Sequence, residues 1–454
     1  MPLNYLGTLL VDGTDKTPGW FYIKNYGTPL LAAVLAKMYL NGSSNTWQRD
    51  LHGKVYIVTG GTSGIGAPLV RELALRGAQL VLLTSQLKSD NSGAVWVTDY
   101  VDDLRNSTDN PLIYVEECNL SSLYSVRKFA TKWLDNRTAR RLDGVICLAS
   151  ERMPIGKSRQ VSVDGVEMQM AINYLGQYHL LTLLEPCLKA QPPDRDVRVI
   201  LATCMSQSIG TLDLDDLLWE VKRYPSGRPW KMYGSSKLML HMFAKEYQKR
   251  LENAGRKDKQ PCNIRVNVVN PGITRTPSTR RAISMGSVLG LLVYLLLYPF
   301  FWIVLKPCEY GMQSFLYALC CPDLIDISGG QYIRECSVVK TKLRKELQDD
   351  ELQKNLYDLT ARKISELEKK SAIERNRGKP DGNKKKDKRQ KKDEMQKKDK
   401  KGLTEEDKRG IFMSAFDTED ELQNYKARNA NTDDAHSTQL RRLDEKYEAT
   451  HKKS

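Results

Sequence analysis

No C-x-x-C pair occurs among the nine cysteines (118, 147, 187, 204, 262, 308, 320, 321 and 336), which lie scattered along 454 residues. That spacing offers neither a disulfide framework nor a zinc site, and it suits a reducing compartment. The opening residues, MPLNYLGTLLVDG, lack the basic flank and long apolar centre of a secretory signal. Residues 1–50 also hold no run of about 20 apolar residues, the length a spanning helix needs. Thr28–Leu40 is apolar but short, and Lys37 interrupts it; it reads as an interfacial anchor or a helix packed on the domain. The run Lys384–Lys401 has eleven basic and four acidic residues but no aromatic, so stacking on nucleic-acid bases is not expected. Its plain reading is a solvated linker, and its functional one is attraction to an anionic membrane or protein face.

What is present divides the chain. The net charge is +15, and from Lys340 onward about half of the residues are charged, with few aromatics to build a core. Three regions follow: an N-terminal segment 1–50 with an interfacial helix, an α/β domain 51–340, and a charged helical and disordered tail 341–454. Candidate strands fall at Lys54–Val58, Gln79–Thr84, Leu112–Glu116, Gly144–Leu148, Arg198–Ala202, Ile264–Val269 and Gly329–Ile333, with helical stretches between them at 121–137, 164–190 and 233–254. Alternation of this kind predicts a Rossmann-type, doubly wound parallel sheet covered on both faces. Residues 282–305 carry no charge, and their centre VLGLLVYLLLYPFFWIVL is long enough to span a bilayer. Because strands of one sheet flank the segment, a kinked or re-entrant membrane-associating element broken near Pro299, dipping into the bilayer beside the active site, is expected, with a soluble substrate lid or a true span as the alternatives. In 341–370, Leu343, Leu347, Leu352, Leu356, Leu359 and Leu367 form an amphipathic pattern that predicts packing on the domain or a membrane.

Two motifs carry chemistry. Thr59-Gly60-Gly61-Thr62-Ser63-Gly64-Ile65-Gly66 follows a strand and opens a helix. Gly60 permits the turn, Gly64 and Gly66 permit close backbone approach, and the helix N-terminus suits a pyrophosphate. About 170 residues later, Tyr233-Gly-Ser-Ser-Lys237 starts another helix and places phenol and ammonium on one face. The lysine is expected to lower the phenol's pKa.

Together these motifs make residues 52–340 resemble the short-chain dehydrogenase/reductase superfamily. Gly77-Ala78, Asn173-Tyr-Leu-Gly176 and Asn270-Pro-Gly-Ile-Thr-Arg-Thr276 support the resemblance, and Asp215-Asp216-Leu217 followed by Tyr233-Gly-Ser-Ser-Lys237-Leu238 is most similar to the branch of retinol dehydrogenases and WW-domain-containing oxidoreductases. The resemblance implies Tyr233 as acid/base, Lys237 as its partner and holder of the nicotinamide ribose, and Asn173 as holder of a relay water. It implies a phosphate end lined by Gly60, Thr62, Ser63, Gly64, Ile65 and Gly66, and a nicotinamide side lined by Pro271, Gly272, Ile273 and Thr276. Ser85, Asn119 and Ala149 complete the implied cofactor set. The sequence departs from the family pattern in three places. Cys204 stands at the catalytic serine position, with Ser206 two residues on; Cys147-Leu-Ala-Ser150 replaces N-N-A-G; Asn119 replaces an aspartate. After the second strand no acid occurs until Asp90, which favours NADP(H) over NAD(H). The expected partners are a hydrophobic alcohol or carbonyl and a membrane lipid surface, with a homodimer left open and nucleic acid not expected. The expected location is a membrane of the endoplasmic reticulum or lipid droplet, with the catalytic domain facing the cytosol. No metal site is expected. A nucleotide-binding pseudoenzyme or membrane scaffold acting through its basic tail is the alternative.

Overall fold

Val55–Thr59, the sequence VYIVT, is buried at every position, as a strand covered on both faces must be. In the computed structural model, which describes residues 20–85, 87, 92–135, 140–256, 258–341 and 343–377, it is the first strand of an eight-stranded sheet. Helix α1 (Thr28–Asn41) precedes it, entered through a π-helical turn at Ile23–Gly27. The chain continues as β1 (Val55–Thr59), α2 (Gly66–Leu75), β2 (Gln79–Thr84), α3 (Ser92–Thr108), β3 (Ile113–Glu117), α4 (Leu123–Leu134), β4 (Gly144–Cys147), α5 (Gly176–Lys189), β5 (Val197–Ala202), α6 (Pro229–Asn253) and β6 (Ile264–Asn270). After β6 come α7 (Pro277–Ile283), α8 (Val288–Leu296), α9 (Tyr298–Val304), α10 (Gln313–Cys320), β7 (Tyr332–Arg334), β8 (Ser337–Val338) and α11 (Asp350–Arg377).

The strand order is β3-β2-β1-β4-β5-β6-β7-β8. All pairings are parallel except β7 with β8, a short antiparallel hairpin that the sequence pattern did not reveal. The chain reverses its direction of travel across the sheet between β1 and β4, which register Val58 against Ile146 and Thr59 against Cys147. In open α/β sheets such a switch point is where ligands bind, beyond the strands' carboxyl ends. One core, with α4, α5 and α6, fills one face; a second, with α2, α3 and α10, fills the other. Buried Arg198 of β5 ties α10 down by donating to the Ala318 and Cys321 carbonyls, both at 2.8 Å.

Expected and observed elements differ mainly at their ends. The first and third strands start one residue later than expected, and the last shrinks to Tyr332–Arg334. The apolar segment 282–305 breaks twice. The α7–α8 pair bends by 105°, and α8 ends at Leu296, three residues before Pro299. Among the described residues no single helix is long and apolar enough to cross a membrane. The leucine pattern of 341–370 becomes α11 and the turn before it, with Leu347, Leu356, Ile364 and Leu367 buried in the first core. Tyr174 Oη lies 2.7 Å from Thr360 Oγ1, and Tyr178 Oη donates to the Tyr357 carbonyl at 3.1 Å. Lys384–Lys401 and the rest of the expected tail beyond residue 377 lie outside the described residues.

Candidate active site

The glycine loop is shaped by its own backbone. At the end of β1 the chain turns through Gly60, whose φ is +69° and whose missing Cβ would stand 2.7 Å from the Ala149 backbone. Gly66 opens α2, and a Cβ there would lie 2.0 Å from the Gly60 carbonyl oxygen. The sequence reading gave Gly66 to approach by a ligand; the contact that forbids a side chain is internal to the loop. Thr59 Oγ1 accepts from the Ala149 amide at 3.2 Å. Gln177 Nε2 donates to the Ala149 carbonyl at 3.2 Å and to Thr59 Oγ1 at 3.4 Å. These two residues brace the end of β4, where the departure from N-N-A-G had left no brace in view.

Helix α6 starts at Pro229, whose missing N–H costs little in a first turn. Tyr233 therefore sits in the second turn rather than at the start. Gly234 lets the helix touch the segment after β5, since a Cβ there would lie 2.3 Å from the Ser206 carbonyl oxygen. Lys237 is buried and donates to the Ala202 carbonyl at 2.9 Å. With no carboxylate beside it, burial lowers its pKa to about 8. Its ammonium lies 5.8 Å from the Tyr233 ring centroid.

The Ser150 hydroxyl and the Cys204 thiol stand beside the Tyr233 phenol. Burial raises the phenol's pKa well above the ordinary value, and the Cys204 thiol adds to the rise; the Ser150 hydroxyl and the Arg152 cation oppose it. This reverses the expectation drawn from Lys237: desolvation wins, and the ammonium is engaged by a carbonyl. Ser150 and Arg152 were not singled out in the sequence. Both follow β4, and only the fold brings them to Tyr233.

Asn173 lies in a π-helical turn (Ala171–Leu175) before α5 and is fully buried. Its Oδ1 accepts from the Glu151 amide at 2.7 Å, and its Nδ2 donates to the Glu151 carbonyl at 2.9 Å and to Ser236 Oγ at 3.1 Å. Ser236 Oγ in turn donates to the Tyr233 carbonyl at 2.8 Å. Asn173 thus clips the segment after β4 to the helix that carries Tyr233 and Lys237.

A cavity of about 450 Å³ joins these parts. Gly60, Ser63, Gly64, Ile65 and Gly66 form one wall, and Ala149, Ser150 and Arg152 the end of β4. Cys204, Ser206, Tyr233 and Lys237 form the far wall, with Pro271, Gly272, Ile273 and Thr276 along the side.

The KR domain family matches residues 54–187. An uncharacterised oxidoreductase of Saccharomyces cerevisiae is 46% identical over 398 residues, 84% of this chain and 96% of the relative. Retinol dehydrogenase 13 of Homo sapiens is 31% identical over 340 residues, 74% of this chain and 92% of the relative. The chain belongs to the short-chain dehydrogenase/reductase superfamily. Within it the chain lies near the retinol dehydrogenase branch, and it is an oxidoreductase acting on CH–OH donors with a nicotinamide cofactor. The fold agrees. The crystal structure of an uncharacterised protein from Mycobacterium paratuberculosis, 23% identical, superposes with a TM-score of 0.51 over 71% of this chain and 98% of its own.

Four residues expected in this reductase site do not line the cavity. Thr62 is half-buried on the loop, and Ser85 is exposed beyond β2. Asn119 uses Oδ1 on the Ser121 amide at 3.0 Å and hydroxyl at 2.8 Å, a local turn leading towards α4. Asn173 lies behind the segment it clips. Among the described residues no group of three or more His, Cys, Asp or Glu could hold a metal.

Proposed function

We propose that this enzyme interconverts a hydrophobic alcohol and its carbonyl with NADP(H), using Tyr233 as acid/base. The observation that carries the reading is the cavity that joins the glycine loop to Tyr233 and Lys237. A dinucleotide fits the residues present. The α2 N-terminus opens on the cavity, Gly60 keeps the backbone free of side-chain bulk, and no carboxylate lines the walls to repel phosphates. Gly60, Thr62, Ser63, Gly64, Ile65 and Gly66 would hold the phosphate end. Ala149, Pro271, Gly272, Ile273 and Thr276 would flank the nicotinamide, and Lys237 its ribose. Ser85 and Asn119 would border the adenosine end. The lack of an acid at the end of β2 supports NADP(H).

When bound, the cofactor supplies or accepts the hydride. Tyr233 donates its proton to the substrate oxygen in reduction and takes it back in oxidation. A phenol held neutral by burial suits the donor direction. Ser150 and Cys204 stand beside the phenol, and with Ser206 they offer polar atoms to the developing oxyanion. The Ser150 hydroxyl is the stronger donor; a thiol is weak.

A membrane surface as source of the substrate is supported by two exposed apolar elements. Helix α1 exposes Leu30, Leu31, Leu35 and Met38, and α8 exposes Leu289, Leu292 and Leu296. The α7 residues Pro277, Ser278 and Thr279 line the cavity just before the chain enters α8. Contiguous exposed apolar faces mark interaction sites rather than ordinary surface.

Full-length protein with NADPH and a panel of long-chain aldehydes and ketones tests the reading by loss of NADPH absorbance. Turnover that Tyr233→Phe lowers by at least a hundredfold, with NADPH affinity kept, is the expected result. Cofactor binding without turnover would favour the scaffold alternative. Flotation with neutral vesicles, lost in Leu289→Glu/Leu296→Glu, tests the membrane surface.

A further inference from the structure

Two cations and no carboxylate line the cavity. Lys237 is accounted for by its bond to Ala202 and its place beside Tyr233. Arg152 is not. Its guanidinium carbon lies 5.3 Å from the Tyr233 ring centroid, and among the described residues it has no carboxylate partner. The neighbouring Glu151 cannot serve, because its carboxylate pairs with Arg281. Both backbone groups of Glu151 are held by Asn173 at 2.7 and 2.9 Å, so the segment is fixed with Arg152 turned to the reacting end. An uncompensated guanidinium on a cavity wall is a ready receptor for a carboxylate or phosphate, which it can bind through two parallel hydrogen bonds. The cofactor's phosphates belong at the other end, against the glycine loop and the α2 N-terminus.

We propose that Arg152 binds an anionic headgroup of the substrate, so that the cleft takes an acidic amphiphile, a carboxylate or phosphate on an apolar chain. The inference rests on the oxidoreductase reading of the same cavity and deepens it by naming the substrate class. The reacting carbon must then lie a short distance from the headgroup, because Arg152 and Tyr233 are in contact.

The test is calorimetric titration of the NADPH-loaded full chain with decanoate, decyl phosphate and decanol, each below its aggregation threshold. At least one anion should bind tenfold or more tightly than decanol, and which one does separates carboxylate from phosphate. Arg152→Gln should weaken that anion at least tenfold while leaving decanol and NADPH within twofold, and Arg152→Lys should retain part of the preference. Equal binding of anions and decanol by the wild type, or an anion affinity unchanged in Arg152→Gln, overturns the proposal. So does a variant that loses NADPH in place of the anion with its melting temperature unchanged, which would assign Arg152 to the cofactor. If Arg152→Gln melts early, Arg152→Lys decides: loss of the whole anion preference although the positive charge is kept would sink the idea. Turnover in Tyr233→Phe bears on the oxidoreductase reading alone, so the two failures are distinguishable.

Discussion

Lys37 of α1 donates to the carbonyl oxygen of Leu305, 268 positions along the chain, at 3.0 Å. In the sequence this lysine interrupts an apolar run; in the fold it ties that run to the other apolar element. Its ammonium also lies 5.2 Å from the Trp302 ring centroid, and the bond satisfies a carbonyl that the C-terminus of α9 leaves without a helical partner. Lys37→Met should keep the side-chain volume and lose both ties. We expect the π-helical turn that leads into α1 to be cut faster by trypsin at Lys24, with the domain's melting temperature lowered by no more than a few degrees. Cleavage at the wild-type rate would mean that the apolar contacts alone hold the helix.

Lys237 gives a pH prediction with a fixed sign. Its folded pKa of about 8 lies below the ordinary 10.5, so the fold penalises the charged form. Below about pH 8 the penalty is present in full. It fades as pH rises towards 10.5, where the unfolded chain loses the same proton. Lys237→Met should therefore be more stable than wild type at pH 7, by roughly 1–3 kcal/mol, with the gain shrinking as pH rises through that window. Cofactor affinity should fall in the variant at neutral pH, and the decline expected of the wild type above about pH 8 should be lost. Urea titrations at pH 7 and pH 10 with parallel NADPH binding measure both effects. A variant less stable than wild type at pH 7 would contradict the account.

These cases show what the sequence could carry. The glycine loop and the Tyr233–Lys237 pair were legible because each lies within a few residues, and their backbone context follows from periodicity. The sheet was legible because its strands are covered on both faces and read as unbroken apolar runs. Other features depend on groups that meet only after folding. Gln177 reaches Thr59 across 118 positions, and Ser150 meets Tyr233 across the switch point. The phenol's pKa is set by desolvation, which spacing along a helix does not report. The β7–β8 hairpin escaped because a two-residue strand, Ser337–Val338, has no period to detect.

Leu356 is fully buried where α11 meets the first core, beside Tyr357, whose ring centroid lies 5.1 Å from that of Tyr178. The leucine spacing revealed an amphipathic helix but not its partner. Leu356→Ala should cost about 2–4 kcal/mol, the usual range for a truncated core leucine. Removing residues 344–377 should expose Tyr174 and Tyr178 and bring aggregation. Guanidinium unfolding of the point variant checks the magnitude. A cost below about 0.5 kcal/mol would show that α11 is dispensable to the core.

Gly66→Ala separates a ligand contact from a backbone contact. Were Gly66 needed only to admit a pyrophosphate, alanine would weaken cofactor binding and leave the free protein's stability unchanged. The structure instead places the added Cβ 2.0 Å from the Gly60 carbonyl oxygen, and backbone cannot step aside as a flexible side chain can. The loop must open or the first turn of α2 must shift, at a cost of about 1–3 kcal/mol in the protein without cofactor. Ser63→Ala, on the exposed side of the same loop, should leave stability within about 0.5 kcal/mol while weakening NADPH. Thermal melts of both variants without cofactor, followed by NADPH titration, give the comparison. Equal melting temperatures for Gly66→Ala and wild type would return Gly66 to the role of admitting the ligand.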